Sequence, residues 1–336
     1  MMLNNQKTLI NNVYFKSLLM LIIYLSVISN LNADKYAGEI FKMGAGVRNF
    51  ALGRVGLTDN QSPAIAYWNS ALLEYKKANT FEIMHAEEFS GLLKYDTVSG
   101  SFGDNNSIAF TLSRIAVNNI SLTKLPNPDE EISETNRPYK YKSVNNADYI
   151  LYVGFSRQLW NIPIGFSPKI VYRNLANTPA YGFGLDISTL IKSSDKLSFA
   201  FKIRDIIPSQ IYWDNGTKES VNIGFDIETK ISSNFLFLVR HNDKDEYPLS
   251  LYINTEINTE NIRENSFLNL GEFSVDPHIG AELNVHQNLS FLLGYDIEYI
   301  TTGLQLNYKK FLLNYAFKQN TDLDNSHRFS IGYQFN

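Results

Sequence analysis

The chain has 336 residues, 44% of them hydrophobic, and a formal net charge of −4. So balanced a charge argues against a nucleic-acid binder, which needs a basic face. Cysteine is absent, which excludes a lipoprotein anchor, disulfide staples and thiolate metal sites. The 22 Phe and 20 Tyr suit strands and membrane interfaces.

Residues 1–33 read as a secretory signal. Lys7 and Lys16 supply positive charge, and Ser17 to Ile28 is an apolar run too short to span a bilayer as a helix. Ala33 is a candidate last residue, although Leu31 is larger than the usual small residue two positions before a cut. A buried core helix is the competing reading; the polar turn from Asp34 onward speaks against it. No later run is long and apolar enough for a membrane helix, so a membrane location demands a closed barrel, because open sheet edges cannot face lipid.

Residues 34–77 form a separate segment. Met43 to Gly56 is punctuated by Gly and Ala. Ser62 to Tyr75 predicts a short helix, with Ser62 as N-cap, Pro63 in the first helical position, and Ile65, Trp68, Leu72 and Tyr75 at helical spacing.

From residue 78 the period becomes two. Tyr181, Phe183, Leu185 and Ile187 alternate with Gly182, Gly184, Asp186 and Ser188. The same holds for Leu197 to Arg204, Val221 to Glu228 and Phe311 to Lys318. Many such segments in succession with no helix between them are the signature of a transmembrane barrel. Fifteen runs start near 79, 92, 106, 147, 162, 180, 196, 219, 233, 248, 276, 288, 300, 311 and 327. A bacterial single-chain barrel has an even number of strands, with short periplasmic turns and long outer loops. Placing 118–146 and 207–218 outside reconciles both halves of the chain only if 248–257 is no barrel strand. Residues 243–275 are therefore expected to form one outer insertion, leaving about fourteen strands. The charged, Pro-containing stretch 125–140 reads as a solvated loop, with partner binding as the alternative.

The last run, His327 to Asn336, places Phe329, Ile331, Tyr333 and Phe335 on one face. An aromatic-ended C-terminal strand looks like the signal read by the outer-membrane insertion machinery.

These features resemble a known family. Gly44-Ala45-Gly46-Val47-Arg48, then Ala51-Leu52-Gly53-Arg54-Val55-Gly56, then Ala64-Ile65-Ala66-Tyr67-Trp68-Asn69-Ser70-Ala71 are similar to the N-terminal region of PorV/PorQ-type outer-membrane proteins, which are distantly FadL-like. So are His278 to Glu282, Leu292 to Tyr295, Asn314 to Phe317 and His327 to Ser330. The family's Pro after Asn is Ser70 here, which relaxes the turn. Gly44, Gly46, Gly53, Gly56, Trp68, Asn69 and Ala71 are the motif positions. The resemblance implies an all-β transmembrane antiparallel barrel of about fourteen strands, in the outer membrane, with the N-terminal segment and its short helix plugging the lumen. The domains are then the signal 1–33, the plug 34–77 and the barrel 78–336. It also implies a role in type IX secretion, as an adaptor passing exported cargo to a surface-attachment complex. Expected partners are outer-membrane lipid, the insertion machinery, secretion-system components and exported cargo, and no nucleic acid.

Chemistry-bearing motifs are missing. His85, His241, His278, His286 and His327 are scattered, and His278 and His286 lie too far apart on one strand to share a metal. No nucleophile elbow, phosphate loop or zinc-protease motif occurs, and His241-Asn242-Asp243 reads as a turn. No catalytic, cofactor or metal site is expected. Asp186, Lys202, Arg204, Asp226, Glu228 and Glu282 share the lumen-facing parity and carry both signs, which favours a salt-bridged lumen over a greasy tunnel. Phe41, Met43, Phe50, Tyr67 and Trp68 read as plug packing or, alternatively, as the lining of an apolar pocket. Passive transport of small hydrophobic molecules in the FadL manner is the second functional reading.

Overall fold

The computed structural model describes residues 37–76, 78–103, 107–234, 248–259, 266–320 and 324–335. The signal segment and His241 lie outside these residues. The period-two region forms strands β1 Asn79–Glu88, β2 Leu93–Phe102, β3 Ile108–Lys124, β4 Tyr139–Leu159, β5 Ile162–Leu175, β6 Thr178–Lys192, β7 Leu197–Trp213, β8 Lys218–Val221, β9 Gly224–Asn234, β10 Pro248–Asn258, β11 Leu268–Leu270, β12 Phe273–His286, β13 Leu289–Asp296, β14 Tyr299–Tyr308, β15 Phe311–Lys318 and β16 Ser326–Phe335. Each pairs antiparallel with its neighbours, and β1 pairs with β16 from Asn79↔Phe335 to Glu87↔His327. The sheet therefore closes on itself and leaves no edge for lipid to meet. β8 extends β9 along β7, and β11 only caps the end of β12. The barrel wall has fourteen strands.

The count matches the expectation, but one strand does not. Residues 248–258 are β10, a full wall strand between β9 and β12, so 243–275 is no single insertion. The run expected near 219 is β8 and β9 along β7, ending at Asn234, and all of the run expected from 233 beyond Asn234 lies outside the described residues. Two further corrections concern loops 118–146 and 207–218. β3 and β4 run 17 and 21 residues, well beyond the ~9–11 that span a bilayer. They project as a hairpin and leave only 125–138 irregular. β7 likewise continues to Trp213 and leaves only 214–217 outside the ladder.

Alternation sets the two faces of the wall. In β6, Ala180, Gly182, Asp186 and Ser188 are buried while Tyr181 and Phe183 are exposed. An apolar outer band continues around the barrel through Ile253, Ile279, Phe291, Leu293, Leu304, Phe329 and Ile331. Aromatic rows bound it. Tyr149, Tyr172, Tyr181 and Tyr212 are successive cross-strand partners from β4 to β7, and Tyr172 and Tyr181 have ring centroids 5.2 Å apart. At the opposite end Phe311 packs edge-on against Tyr333 at 5.3 Å. Amphipathic rings prefer the two membrane–water interfaces. The chain is an outer-membrane β-barrel.

Inside the barrel lies the segment 37–76. It contains a 3₁₀ turn at Glu39–Lys42, helix α1 Val47–Ala51, helix α2 Ile65–Trp68 and a second 3₁₀ turn at Ser70–Tyr75. The single helix expected over 62–75 is thus broken at Asn69, whose backbone is extended (φ −157°, ψ 100°). The reason is local. Asn69 Oδ1 accepts the Ala71 amide at 2.9 Å and caps the second segment itself. Ser62 Oγ accepts the Ala64 amide at 3.1 Å but lies before the N-cap position, which Ala64 occupies.

Candidate functional site: the plugged lumen

The motif residues build the plug. Trp68 Nε1 donates to the Ala45 carbonyl at 2.7 Å, and Tyr67 Oη donates to the Phe41 carbonyl at 2.7 Å while accepting the Gly44 amide at 3.1 Å. Tyr95 of β2 donates to the Gly44 carbonyl. Asn69 Nδ2 reaches the Leu57 carbonyl at 2.7 Å and that of Thr189 on β6 at 3.2 Å. A Cβ on Gly56 would sit 2.5 Å from the Trp68 ring, and one on Gly53 (φ +72°) 2.6 Å from the Ile279 carbonyl oxygen of β12. Only glycine combines that φ with that approach. Gly46 opens α1 as its N-cap, at φ 82°. The wall answers with glycines of its own. A Cβ on Gly303 would meet Ala51 at 2.5 Å, and one on Gly280 the Leu52 carbonyl at 2.6 Å. Ser70, where the family has Pro, bonds Ser167 of β5 through its hydroxyl at 2.6 Å.

Charge then locks plug to wall. Arg48 lies 2.8 Å from Asp59 and 2.6 Å from Glu282, and donates to Gln305 at 2.5 Å. Tyr252 donates to Glu282 at 2.9 Å. Burial alone would lower the Arg48 pKa, but Asp59 and Glu282 outweigh it and hold the guanidinium charged. Glu228 accepts the amides of Gly56, Leu57 and Thr58 at 2.8, 3.0 and 2.8 Å and the Thr58 hydroxyl at 2.6 Å. Arg54 faces Asp296 at 3.4 Å and Glu256 at 3.7 Å. Arg204 pairs with Asp226 at 3.0 Å and Glu256 at 3.2 Å. All six lumen charges singled out in the sequence point inward. The sequence reading missed Arg48, Arg54, Asp59 and Glu256 as partners, because pairing across a lumen leaves no local pattern.

Other predicted positions fall apart. His278 is buried with Asp296 at 3.1 Å and Glu256 at 3.6 Å, whereas His286 is exposed at the end of β12. His85 bonds Asp96 at 2.6 Å and His327 bonds the Tyr315 hydroxyl at 3.0 Å, both on exposed surface. Phe41, Phe50, Tyr67 and Trp68 are buried in the plug. Phe50 lies under the Arg328 guanidinium, 3.4 Å from ring centroid to Cζ. Two small cavities flank Phe41 and Lys42. One of about 20 Å³ is lined by Arg54, Tyr67, Trp68, Arg204 and Glu256. The other, about 10 Å³, reaches Gly38, Asp205, Val221 and Asn222. Each has room for about one water.

The second cavity lies behind a break in the wall. Between Phe183↔Gln210 and Ile187↔Ile203, β6 advances four residues while β7 advances seven. On its other side β7 advances five residues between Arg204↔Gly224 and Ser209↔Val221, while the partner path advances three. Both ladders of β7 are thus interrupted at one level. Pro208 sits in the bulge and Pro168 of β5 pairs at the same level with Leu185; neither has an amide hydrogen to donate. Asp205 adopts φ 54°, a conformation that costs energy for a non-glycine residue. It is held by Lys169 at 2.7 Å and by the Ser209 hydroxyl. Lys169 also pairs with Asp186 at 3.0 Å and lies over the Phe41 ring, 4.3 Å from its centroid.

No protein-family model and no curated protein matches the chain, so the PorV/PorQ resemblance rests on the quoted motifs alone. Solved structures do match in fold. The toluene transporter TodX of Pseudomonas putida superposes with a TM-score of 0.57 at 10% identity, covering 87% of this chain and 98% of that one. For the toluene transporter TbuX of Ralstonia pickettii the TM-score is 0.50 at 9% identity, with 87% and 98% covered. Over 87% of its length the chain shares the fold of these two toluene transporters.

Proposed function

We propose that this barrel is a FadL-like passive transporter of small hydrophobic molecules, with 37–76 as a hatch that must shift for passage. One observation carries the reading: the doubly interrupted β7 at 203–210, with the apolar residues Phe183 and Ile207 exposed outside it and the plug residue Phe41 directly behind. A wall whose backbone pairing is thinned and shifted on both sides of one strand is the part of the barrel that parts most easily. The shared fold with two toluene transporters supports a small apolar substrate. The absence of cysteine permits a clean test. Cys placed at Leu185 and Ile207, which are register partners, can clasp the break. Uptake of a labelled monoaromatic hydrocarbon by cells expressing the protein should fall on oxidation and recover on reduction. Uptake equal to that of cells lacking the protein would remove the transport reading altogether.

A second reading, a PorV/PorQ-type secretion adaptor, is favoured by the projecting β3–β4 hairpin. Its tip is organised by one buried side chain: Asn136 Nδ2 donates to the carbonyls of Asn127, Glu130 and Glu131 at 2.9, 3.1 and 3.3 Å. An ordered acidic tip suits a partner surface. Purification of the tagged protein from its host should then recover secretion-system components or exported cargo. In either reading the outward row Phe329, Ile331, Tyr333 and Phe335 is proposed as the feature met by the insertion machinery, and neither involves catalysis.

A further inference from the structure

The outer wall is not uniformly convex. On β10 and β12–β15 a groove of about 540 Å³ is lined by Leu249, Ala281, Leu283, Phe291, Leu293 and Leu304. It forms where the short side chains of Ala281 and Thr302 flank Leu293 as cross-strand partners. Beside it, across β14–β16, a second groove of about 370 Å³ is lined by Leu306, Leu313, Phe329 and Ile331. The two share Leu304 and Tyr315 as a common ridge.

The smaller groove leads toward the β14–β15 turn, and the larger one continues from the shared ridge toward Leu293 and Thr302, away from the turn. Beyond Leu306 and Leu313 come Tyr308 and Phe311, and then Lys309 and Lys310 at the tip, both exposed. Lys309 Nζ lies 5.4 Å from the Tyr308 ring centroid. The described residues 286–289, 307–312 and 332–335 at this end of the wall include no Asp or Glu. From Leu304 to Lys309 is five residues, or about 17 Å along a strand. That is close to the depth of one leaflet in a hydrocarbon core of about 30 Å. Two connected apolar grooves, with exposed Tyr308 and Phe311 and then two adjacent lysines beyond them at the end of the wall, have the shape and charge to take one lipid molecule.

We propose that this face holds one anionic glycerophospholipid: its phosphate on Lys309 and Lys310, its two acyl chains in the grooves on either side of the Leu304–Tyr315 ridge. The short turn at 309–310 belongs to the end of the barrel that carries the short turns, the periplasmic end, where the leaflet supplies phospholipid. Adjacent ammonium groups near a membrane surface each attract anionic lipid, and the grooves add apolar area that a flat wall lacks. The site faces lipid and is independent of the plug and of any transported molecule.

The test is native mass spectrometry of the full mature barrel in mild detergent, titrated with phosphatidylglycerol and, separately, with phosphatidylethanolamine of the same acyl chains. The expected result is one retained phosphatidylglycerol at a several-fold lower lipid concentration than phosphatidylethanolamine. Lys309→Ala/Lys310→Ala should bring the two lipids to parity. Ala281→Phe, which fills the larger groove, should weaken retention of both. Heat-modifiable migration on gels confirms that each variant is folded. Equal retention of the two lipids by the unaltered protein would overturn the proposal. So would an undiminished preference in the double lysine variant, or a mass of two chains showing that a second copy covers the face.

Discussion

Gly53 of the plug and Gly294 of β13 face each other so closely that a Cβ on Gly294 would overlap the Gly53 amide nitrogen. Neither backbone can retreat, because Gly53 is also held against β12 and Gly294 belongs to the wall ladder. A side chain here must therefore push the end of α1 off the wall. Overpacking of this kind costs about 1–3 kcal/mol. Gly294→Val should leave a heat-modifiable barrel whose residues 37–76 are cut by protease far faster than in the parent. Unchanged protection would show that the contact does not hold the plug.

Arg48 is buried against two carboxylates and an amide oxygen. Replacing it with Met strands Asp59 and Glu282 as unpaired buried charges, a loss of about 3–5 kcal/mol. Adding Glu282→Gln should restore part of this, with a coupling of about 0.5–3 kcal/mol. Urea titration of plug protection measures both. Strict additivity would mean that the Arg48–Glu282 ion pair does not carry the docking.

Membership of β10 in the wall makes a prediction that an outer insertion does not. Ile253 is half exposed on the outer face, between Thr229 and Ile279. Ile253→Arg places a guanidinium in the hydrocarbon band at a cost of about 2–4 kcal/mol near the midplane. In lipid vesicles its unfolding midpoint should drop clearly. A shift no larger than that of an arginine in the 125–138 tip would contradict the wall position.

Lys76 lies where the plug meets β1, and its ammonium donates to the Asn60 and Ser62 carbonyls at 3.3 and 3.5 Å. Burial pulls its pKa down to about 8, although Asp59 and Glu82 pull the other way. Its folded-state pKa is below the value of the free side chain, so the undocked plug binds more protons above pH 8. Docking should strengthen as pH rises from about 8 toward 10. Comparing plug protection with that of Lys76→Met isolates this increment, since the variant has no amine to titrate. Parallel profiles for the two proteins would rule it out.

Much of this molecule was legible in its sequence. The faces of β6, β7, β9 and β15 follow directly from side chains such as Tyr181, Phe183, Phe311 and Leu313, because alternate residues of any strand point to opposite sides. The inward set Asp186, Lys202, Asp226, Glu228 and Glu282 was readable for the same reason. For residues 248–258 loop length is a misleading guide to strand membership. Ser250, Tyr252, Asn254 and Glu256 alternate just as well as their neighbours. In the plug, helical spacing continues through Asn69, but the side chain of Asn69 competes for the backbone amide of Ala71 and breaks the helix, which spacing alone does not reveal.

By itself, then, the order of residues determined a closed, even-stranded barrel with a charged interior and a separate N-terminal segment, since strand periodicity and exclusion of unpaired backbone from lipid are local requirements. Only the tertiary structure decided which charge meets which, that glycines of the wall admit the plug backbone, and that β7 loses register on both sides. Those depend on residues such as Arg48 and Glu282, or Gly53 and Gly294, brought together by barrel closure from positions more than 200 apart in the chain. No local period encodes such distances.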